Sequence, residues 1–342
     1  MFFYEKAKNS VNNHSLPEEI EFLIFSVLNA KYETKRNVDN NLTNDEEKNR
    51  LYLGTYFPRS YTECNNICEN LFRNDIIKSK YICTTEISIL DIGSGTGGNL
   101  LGMLYAVKNC LPSIKNVNIL SIDGNDIALD FQKRIINHCQ ATLKLNINIL
   151  YKKYIFSPDS LFDDLSIIIK NVSNIKFDFI MSFKFINEFY NKVLTDKFFL
   201  YENYLDFSEK YLNTNGLSIL LDVTSQDIYK KRRYLPIIIA EEIVPYLRQN
   251  DNKLKILLPL SCATNYKICK IKECFTQNIY FVSHQKTSKD ITKFCSYVFG
   301  KPKFVEEILK HEKIQNNYIT CYKYNSSTAY PDGSCINGIN TR

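Results

Sequence analysis

The chain has 342 residues and a formal net charge of +6, with 44% hydrophobic and 13% aromatic side chains. That length suits one large domain with extensions or two domains, and no uninterrupted apolar run approaches the ~18 residues of a membrane span. Eleven cysteines behind the charged opening MFFYEKAKNS argue against a secreted disulfide scaffold and for reduced thiols or metal ligands in a cytoplasmic setting.

Residues 1–85 read as a helical N-terminal extension. Pro17-Glu18-Glu19 suits a first helical turn, and Ile20, Leu23, Ile24, Val27 and Leu28 make one apolar face. Residues 35–50 are polar and poor in aromatics, which predicts a surface loop. Pro58 predicts a chain break, with Ser60 capping a helix that runs on from Tyr61. Tyr56, Arg59 and Tyr61 either form an aromatic and cationic lip over a ligand site or RNA surface, or simply pack the N-terminal helices.

Ile87–Leu101 reads ISILDIGSGTGGNLL. The apolar run Ile87, Ile89, Leu90, Ile92 predicts a buried parallel strand ending at Asp91. Glycines 93, 95, 97 and 98 follow, and then Leu100, Leu101, Leu104 and Val107 at helical spacing. Strand, glycine turn and helix bring backbone N–H groups close to a nucleotide-like ligand, because glycine has no Cβ to block the approach. Glycines at 93, 95 and 98 satisfy GxGxxG, while the Walker pattern fails because no Gly-Lys-Ser/Thr follows.

From here strands and helices alternate, which predicts an α/β fold with a parallel sheet covered on both faces. The second strand, Val117–Ile122, ends in Asp123, where a ribose-binding acid belongs in such folds. A third lies within Ile147–Phe156 and closes at Ser157-Pro158-Asp159. The fourth, Lys176–Phe183, carries Ser182 and is followed by Asn187 and Glu188. A helix through Phe198–Tyr211 leads to the fifth strand, Leu217–Val223. Lys230, Lys231, Arg232 and Arg233 form a basic run between tyrosines, which is either an RNA contact or a solvated helix face.

Residues 253–292 form a late, loop-like insert in which Cys262, Cys269 and Cys274 fall close together. Three thiols at this spacing hold zinc or an iron–sulfur cluster if Cys295 or His284 supplies a fourth ligand, and are otherwise ordinary cysteines. Phe294–Phe299 and Tyr318–Tyr324 read as two last strands, one of them antiparallel, and residues 326–342 as a disordered tail.

The order D-I-G-S-G-T-G resembles motif I of the class I S-adenosylmethionine (SAM) dependent methyltransferases. That resemblance spans residues 85–225 and implies a Rossmann-like sheet flanked by helices, with a methyltransferase domain over 86–325. It implies SAM at Gly93, Gly95 and Gly97, Asp91 toward the methionine end, Asp123 on the ribose and Asp159 near the adenine edge. It also places Ser182, Asn187 and Glu188 beside the reactive methyl group. The helical N-terminus with Tyr56–Tyr61, motif I, Ser182–Glu188 and the late cysteines together resemble the ribosomal small-subunit methyltransferase-like family. That closer resemblance implies methylation of RNA, ribosomal RNA foremost. A small-molecule methyltransferase and a non-catalytic, SAM-binding assembly factor stay open beside it.

Overall fold

The computed structural model describes residues 13–34, 42, 45–172, 176–190, 199–225, 234–267, 269 and 274–311. In chain order the first elements are β1 (Asn13–Ser15), α1 (Glu18–Glu21) continued by a π-helical stretch Phe22–Val27, α2 (Glu46–Phe72) and α3 (Asp75–Tyr81). The alternating part follows as β2 (Glu86–Ile92), α4 (Gly98–Cys110), β3 (Asn116–Asp123), α5 (Asp126–Leu143), β4 (Asn146–Lys153) and α6 (Leu161–Val172). It continues with β5 (Phe177–Phe183), α7 (Asn187–Tyr190), α8 (Leu200–Tyr211) and β6 (Leu212–Val223). Last come α9 (Leu235–Gln249), β7 (Lys255–Leu258), α10 (Leu260–Asn265), β8 (Asn278–His284), β9 (Thr287–Gly300) and α11 (Pro302–His311).

Two compact units emerge. The first comprises Ser10–Ile155 with Ile279–Thr292, and the second Phe156–Asn278 with the described residues from Lys293 onward.

In the first unit β2, β3 and β4 run parallel, with Ile87 opposite Val117 and Val117 opposite Ile147. β3 therefore lies between its two neighbours, and the order follows from right-handed crossovers through α4 and α5. α2 and α4 pack along each other at a very short distance. A Cβ on Gly98 would lie 2.7 Å from the Phe57 carbonyl oxygen, and one on Gly102 2.5 Å from that of Tyr61. Only glycine at these two positions, one helical turn apart, permits that approach.

The break expected at Pro58 does not occur, because α2 runs unbroken through it. A proline inside a helix costs about 3 kcal/mol. The apolar face formed by Leu53, Phe57, Tyr61, Cys64, Cys68 and Leu71 is buried along the whole helix, and that burial outweighs the lost hydrogen bond. The loop expected over 35–50 also ends earlier: Asp45 caps α2 by accepting from the Lys48 N–H at 2.8 Å, with Glu46 and Glu47 in the first turn favoured by the helix dipole. Upstream, the π-helical turn changes the face that periodicity predicted. It carries Phe25 into the core and leaves Val27 exposed, because a wider turn rotates each later side chain away from the 3.6-residue position.

In the second unit β5 is parallel to β6, and β9 is antiparallel to both β6 and β7. Val298–Gly300 pair with both β6 and β7, so β9 sits between them. Phe294–Phe299, one of the two expected last strands, lies within β9 and is the antiparallel one. Its outer partner is β7, from the start of the supposed insert. Tyr318–Tyr324 lie outside the described residues. The insert is not loop-like: its residues supply β7, α10, β8 and the start of β9. β8 pairs in parallel with β1, Asn13 facing Phe281 and Ser15 facing Ser283. The alternating α/β topology, with a mixed sheet flanked by helices and a helical N-terminal extension, makes this a Rossmann-like fold. Among the described residues no helix is long and apolar enough to cross a membrane.

Candidate functional site

The first unit gathers the glycine turn and its two acids. Gly93, Gly95 and Gly97 all have positive φ, at 68°, 53° and 83°, a region that side chains with a Cβ enter only under strain. The turn is tied down from β3. The N–H groups of Gly93 and Ser94 donate to the Ile122 carbonyl at 2.9 and 3.1 Å. Asp123 accepts from the Gly95 N–H through Oδ2 and from the Asn125 N–H through Oδ1, each at 2.8 Å. Burial pushes the Asp123 carboxyl up, and these backbone donors pull it back.

Asp91 is fully buried at the end of β2. Its Oδ1 accepts from Asn99 Nδ2 at 2.6 Å, while its Oδ2 is buried with no hydrogen-bond partner. Burial raises its pKa to about 8; Asn99 opposes that rise and the nearby Asp123 adds to it.

Several neighbours were not singled out from sequence. Asn125 caps α5 through its side chain and donates to Asn49 Oδ1 of α2 at 3.0 Å. Behind the turn, Ser94, Ser121 and Gln132 form a buried hydroxyl and amide cluster. The Tyr52 ring lies over Gly95, with its nearest atoms 3.8–3.9 Å from where a Cβ would stand, and stacks at a tilt on Tyr56. Arg59 lies 5.7 Å from the Tyr56 ring and donates to both oxygens of Asp290. Tyr61 is buried against Phe57 and Tyr105. The Asn125 cap was legible as a polar residue between strand and helix; Tyr52 and Gln132 carried no local signal.

These residues fit the methionine end and ribose of SAM. An orphaned buried carboxylate oxygen costs about 1–3 kcal/mol or more, and a ligand ammonium would satisfy it. Asp123 keeps lone pairs for ribose hydroxyls beyond the two it spends on the turn. Asp123→Ala should therefore weaken SAM binding by about 1–3 kcal/mol and loosen the turn by freeing the Gly95 N–H. Calorimetry of that variant, with unchanged affinity as the contrary result, checks this.

The second unit holds the residues expected beside the methyl group. Ser182 is buried on β5 and its Oγ has no hydrogen-bond partner. The Asn187 N–H donates to Asp222 Oδ2 at 3.1 Å, and Asn187 Oδ1 is buried without a partner. Glu188 is half-buried in the first turn of α7. Asp222, at the end of β6, was not assigned a role from sequence. It also accepts from the Tyr201 hydroxyl at 2.9 Å and from the Val223 N–H at 2.9 Å. Burial lifts its pKa to about 7 against those donors. Tyr190 and Tyr201 stack 5.1 Å apart, and Glu242 accepts from the Tyr190 hydroxyl and, at 2.9 Å, from the Tyr201 N–H. Asp159 is exposed and lines an open depression of about 360 Å³ with Phe162, Phe207 and Lys210.

Cys262 and Cys269 are half-buried and Cys274 is buried. Cys295 donates to the Asp222 carbonyl at 3.4 Å, and His284 Nε2 stands 3.7 Å from Asp290 Oδ2. Among the described residues no group of three or more His, Cys, Asp or Glu side chains could hold a metal ion. Lys230, Lys231, Arg232 and Arg233 lie outside the described residues.

No protein-family model and no curated protein matches this sequence. Among solved structures the chain is similar to the plantazolicin methyltransferase BpumL in complex with S-adenosylhomocysteine (SAH), at 15% identity over 83% of this chain and 98% of that one, with a TM-score of 0.34. It is similar to the DszA carbon methyltransferase at 12% identity over 75% and 57%, TM-score 0.37. It is also similar to a SAM-dependent methyltransferase from Agrobacterium tumefaciens at 9% over 68% and 62%, TM-score 0.36. The chain thus spans under two thirds of the length of the last two.

Proposed function

We propose that this protein is a SAM-dependent methyltransferase whose acceptor is a small molecule. The observation that carries the cofactor half is the Asp91 carboxylate: buried at the end of β2, next to the glycine turn, with one oxygen left without a donor. SAM supplies a methyl group on a sulfonium. On the protein's side, Asp91 receives the ligand's ammonium, Asp123 both shapes the turn and accepts from the ribose, and Tyr52 covers Gly95. Asp159 is kept as a contact for the adenine edge.

What supports a small acceptor is the burial of the polar groups at the ends of β5 and β6. Phosphate recognition requires exposed cations, whereas Ser182 and Asp222 are enclosed. Ser182, Asn187 and Glu188 are the acceptor-side residues in this reading, with Asp222 holding the Asn187 backbone. Asp222, whose pKa burial raises to about 7, would serve as the base that takes the acceptor's proton.

Incubation of the full chain with methyl-labelled SAM and separate RNA, protein and low-molecular-weight fractions tests this. Label is expected in the small-molecule fraction. Label in RNA, with affinity falling steeply as salt rises and a slope reduced by about 1–2 in Arg232→Ala/Arg233→Ala, would establish the RNA substrate instead. Tighter binding of NAD than of SAM would remove the cofactor assignment.

A further inference from the structure

The second unit concentrates unsatisfied polarity at one place. Ser182 stands opposite Leu220 in the β5–β6 register. Residues two apart on a strand share a face, so Ser182, Leu220, Asp222 and the following Thr224 project from the same side of the sheet. α8 covers that side, with Tyr201 reaching Asp222 and Tyr204 and Ser208 reaching Ser218. Onto the strand ends come two amides from distant parts of the chain. Asn187, in the first turn of α7, is joined to Asp222 through its N–H at 3.1 Å. Gln277, immediately before β8, donates from Nε2 to Thr224 Oγ1 at 2.9 Å. Gln277 is 1% exposed. Both amide oxygens, Asn187 Oδ1 and Gln277 Oε1, are buried and accept no hydrogen bond, and the Ser182 hydroxyl has no partner.

Each such group costs about 1–3 kcal/mol when left unmet, and native proteins leave few of them. Ser182 lies one residue before the end of β5, and Asn187 and Gln277 are hydrogen-bonded to Asp222 and Thr224 at the end of β6; three such groups at the ends of two paired strands indicate a ligand that completes them. Asn187 is held through its backbone N–H at Asp222 and Gln277 through its side-chain amide at Thr224, positions about 6–7 Å apart along a strand. Two hydrogen bonds of about 3 Å from one nitrogen span that scale. The complementary ligand group carries donors, and more than one. A hydroxyl offers a single donor, a carboxylate or phosphate none, and Asp222 repels both anions. An amino group offers two or more.

We infer that Asn187 and Gln277, with Ser182, form the recognition subsite for an amino group, and that the methyl acceptor is a nitrogen compound bearing –NH2. This rests on the methyltransferase reading above. Two aromatic pairs flank these positions in sequence: Phe185 packs edge-on to Phe189 with centroids 4.9 Å apart, and Tyr234 to Phe275 at 5.4 Å. The late segment thus contributes a specificity residue to the acceptor side through Gln277, not through its thiols.

The test is ligand-observed NMR on the full chain saturated with SAH, using benzylamine, benzyl alcohol and benzyl methyl ether as matched probes. The amine is expected to bind at least about tenfold more tightly than the ether, the scale of one hydrogen bond. That preference should vanish in Asn187→Leu and Gln277→Leu while SAH affinity and thermal stability hold. Where a leucine variant does not fold, Gln277→Glu, which keeps the shape and adds an acceptor oxygen, should retain or strengthen the amine preference. Equal binding of amine and ether, or an amine preference untouched in both positions, would overturn the subsite. Failure of SAH itself to bind would remove the methyltransferase reading, and the probes without SAH would still decide on the amino-group site.

Discussion

Asp91→Asn should abolish the rise of SAM affinity with pH and, at the same time, make the ligand-free protein more stable above neutrality. In the free protein Asp91 holds its proton up to about pH 8 because it is buried. Receiving an ammonium requires the charged form, so binding expels that proton. Affinity should climb by up to about tenfold per pH unit below pH 8. It should pass a maximum there, as the ligand's own amino group loses its proton at about 8. The Asn variant lacks the acidic limb and binds more weakly at the maximum by about 1.5–3 kcal/mol, the value of a hydrogen bond to a charged group.

The stability effect has the opposite sign. The folded-state pKa, about 8, lies above the ordinary 3.8. The folded chain therefore keeps a proton that the unfolded chain releases between those values. Stability is full below about pH 4 and is lost, by up to about 1.4 kcal/mol per unit, as pH rises toward 8. Asparagine has nothing to titrate and escapes that loss. Thermal unfolding and calorimetry of both proteins from pH 5 to 9 check the pair of effects; parallel pH profiles would contradict them.

Asp290→Ala should destabilise the first unit by about 3–5 kcal/mol, the cost of leaving a buried guanidinium without its anion. Arg59 donates to both Asp290 oxygens at 2.7 Å, and the two side chains are 16% and 4% exposed. Tyr32 donates to the same carboxylate at 3.2 Å, and His284 is stacked on Phe25 beside it. Burial pushes the Asp290 carboxyl up, but His284 and Arg59 outweigh it and hold it down to about 2. The stability it contributes is present above its ordinary 3.8 and is lost as pH falls toward 2. Wild type should thus weaken between about pH 4 and pH 2 by a step that Asp290→Asn does not show. Replacing both partners with apolar residues, Arg59→Met with Asp290→Leu, should recover much of the loss, because no charge is then stranded. Urea midpoints of the two single variants and the double variant measure it. A double variant no better than Asp290→Ala would show that the pair is not the source of the cost.

The parts of this protein legible in its sequence are those whose physics is local. β2, the glycine turn and α4 follow from a buried apolar run, three residues forced to positive φ and a helical repeat, all within Ile87–Val107. Asp123 and the Asn125 cap follow from strand ends a few residues away. Pro58 shows the limit of such reasoning. Its local penalty is real, but the buried face of α2 extends beyond any window that contains the proline. Val27 shows another, since a π-helical turn keeps the composition of an apolar helix while moving its faces.

What only the tertiary structure decided is long-range. Arg59 and Asp290 are 231 residues apart, and nothing near either one signals the other. Residues 279–292 follow the second unit's strands in sequence, yet they fold with the first unit. In the sequence they read as the end of a cysteine insert, where the thiols drew the eye. Gln277, just before residues 279–292, is a lone amide hydrogen-bonded to Thr224, 53 positions earlier. Turn chemistry and periodicity act over a few residues and leave a trace in sequence. The pairing of buried polar groups is set by which surfaces lose water together, and a chain of 342 residues can bring together almost any two of them.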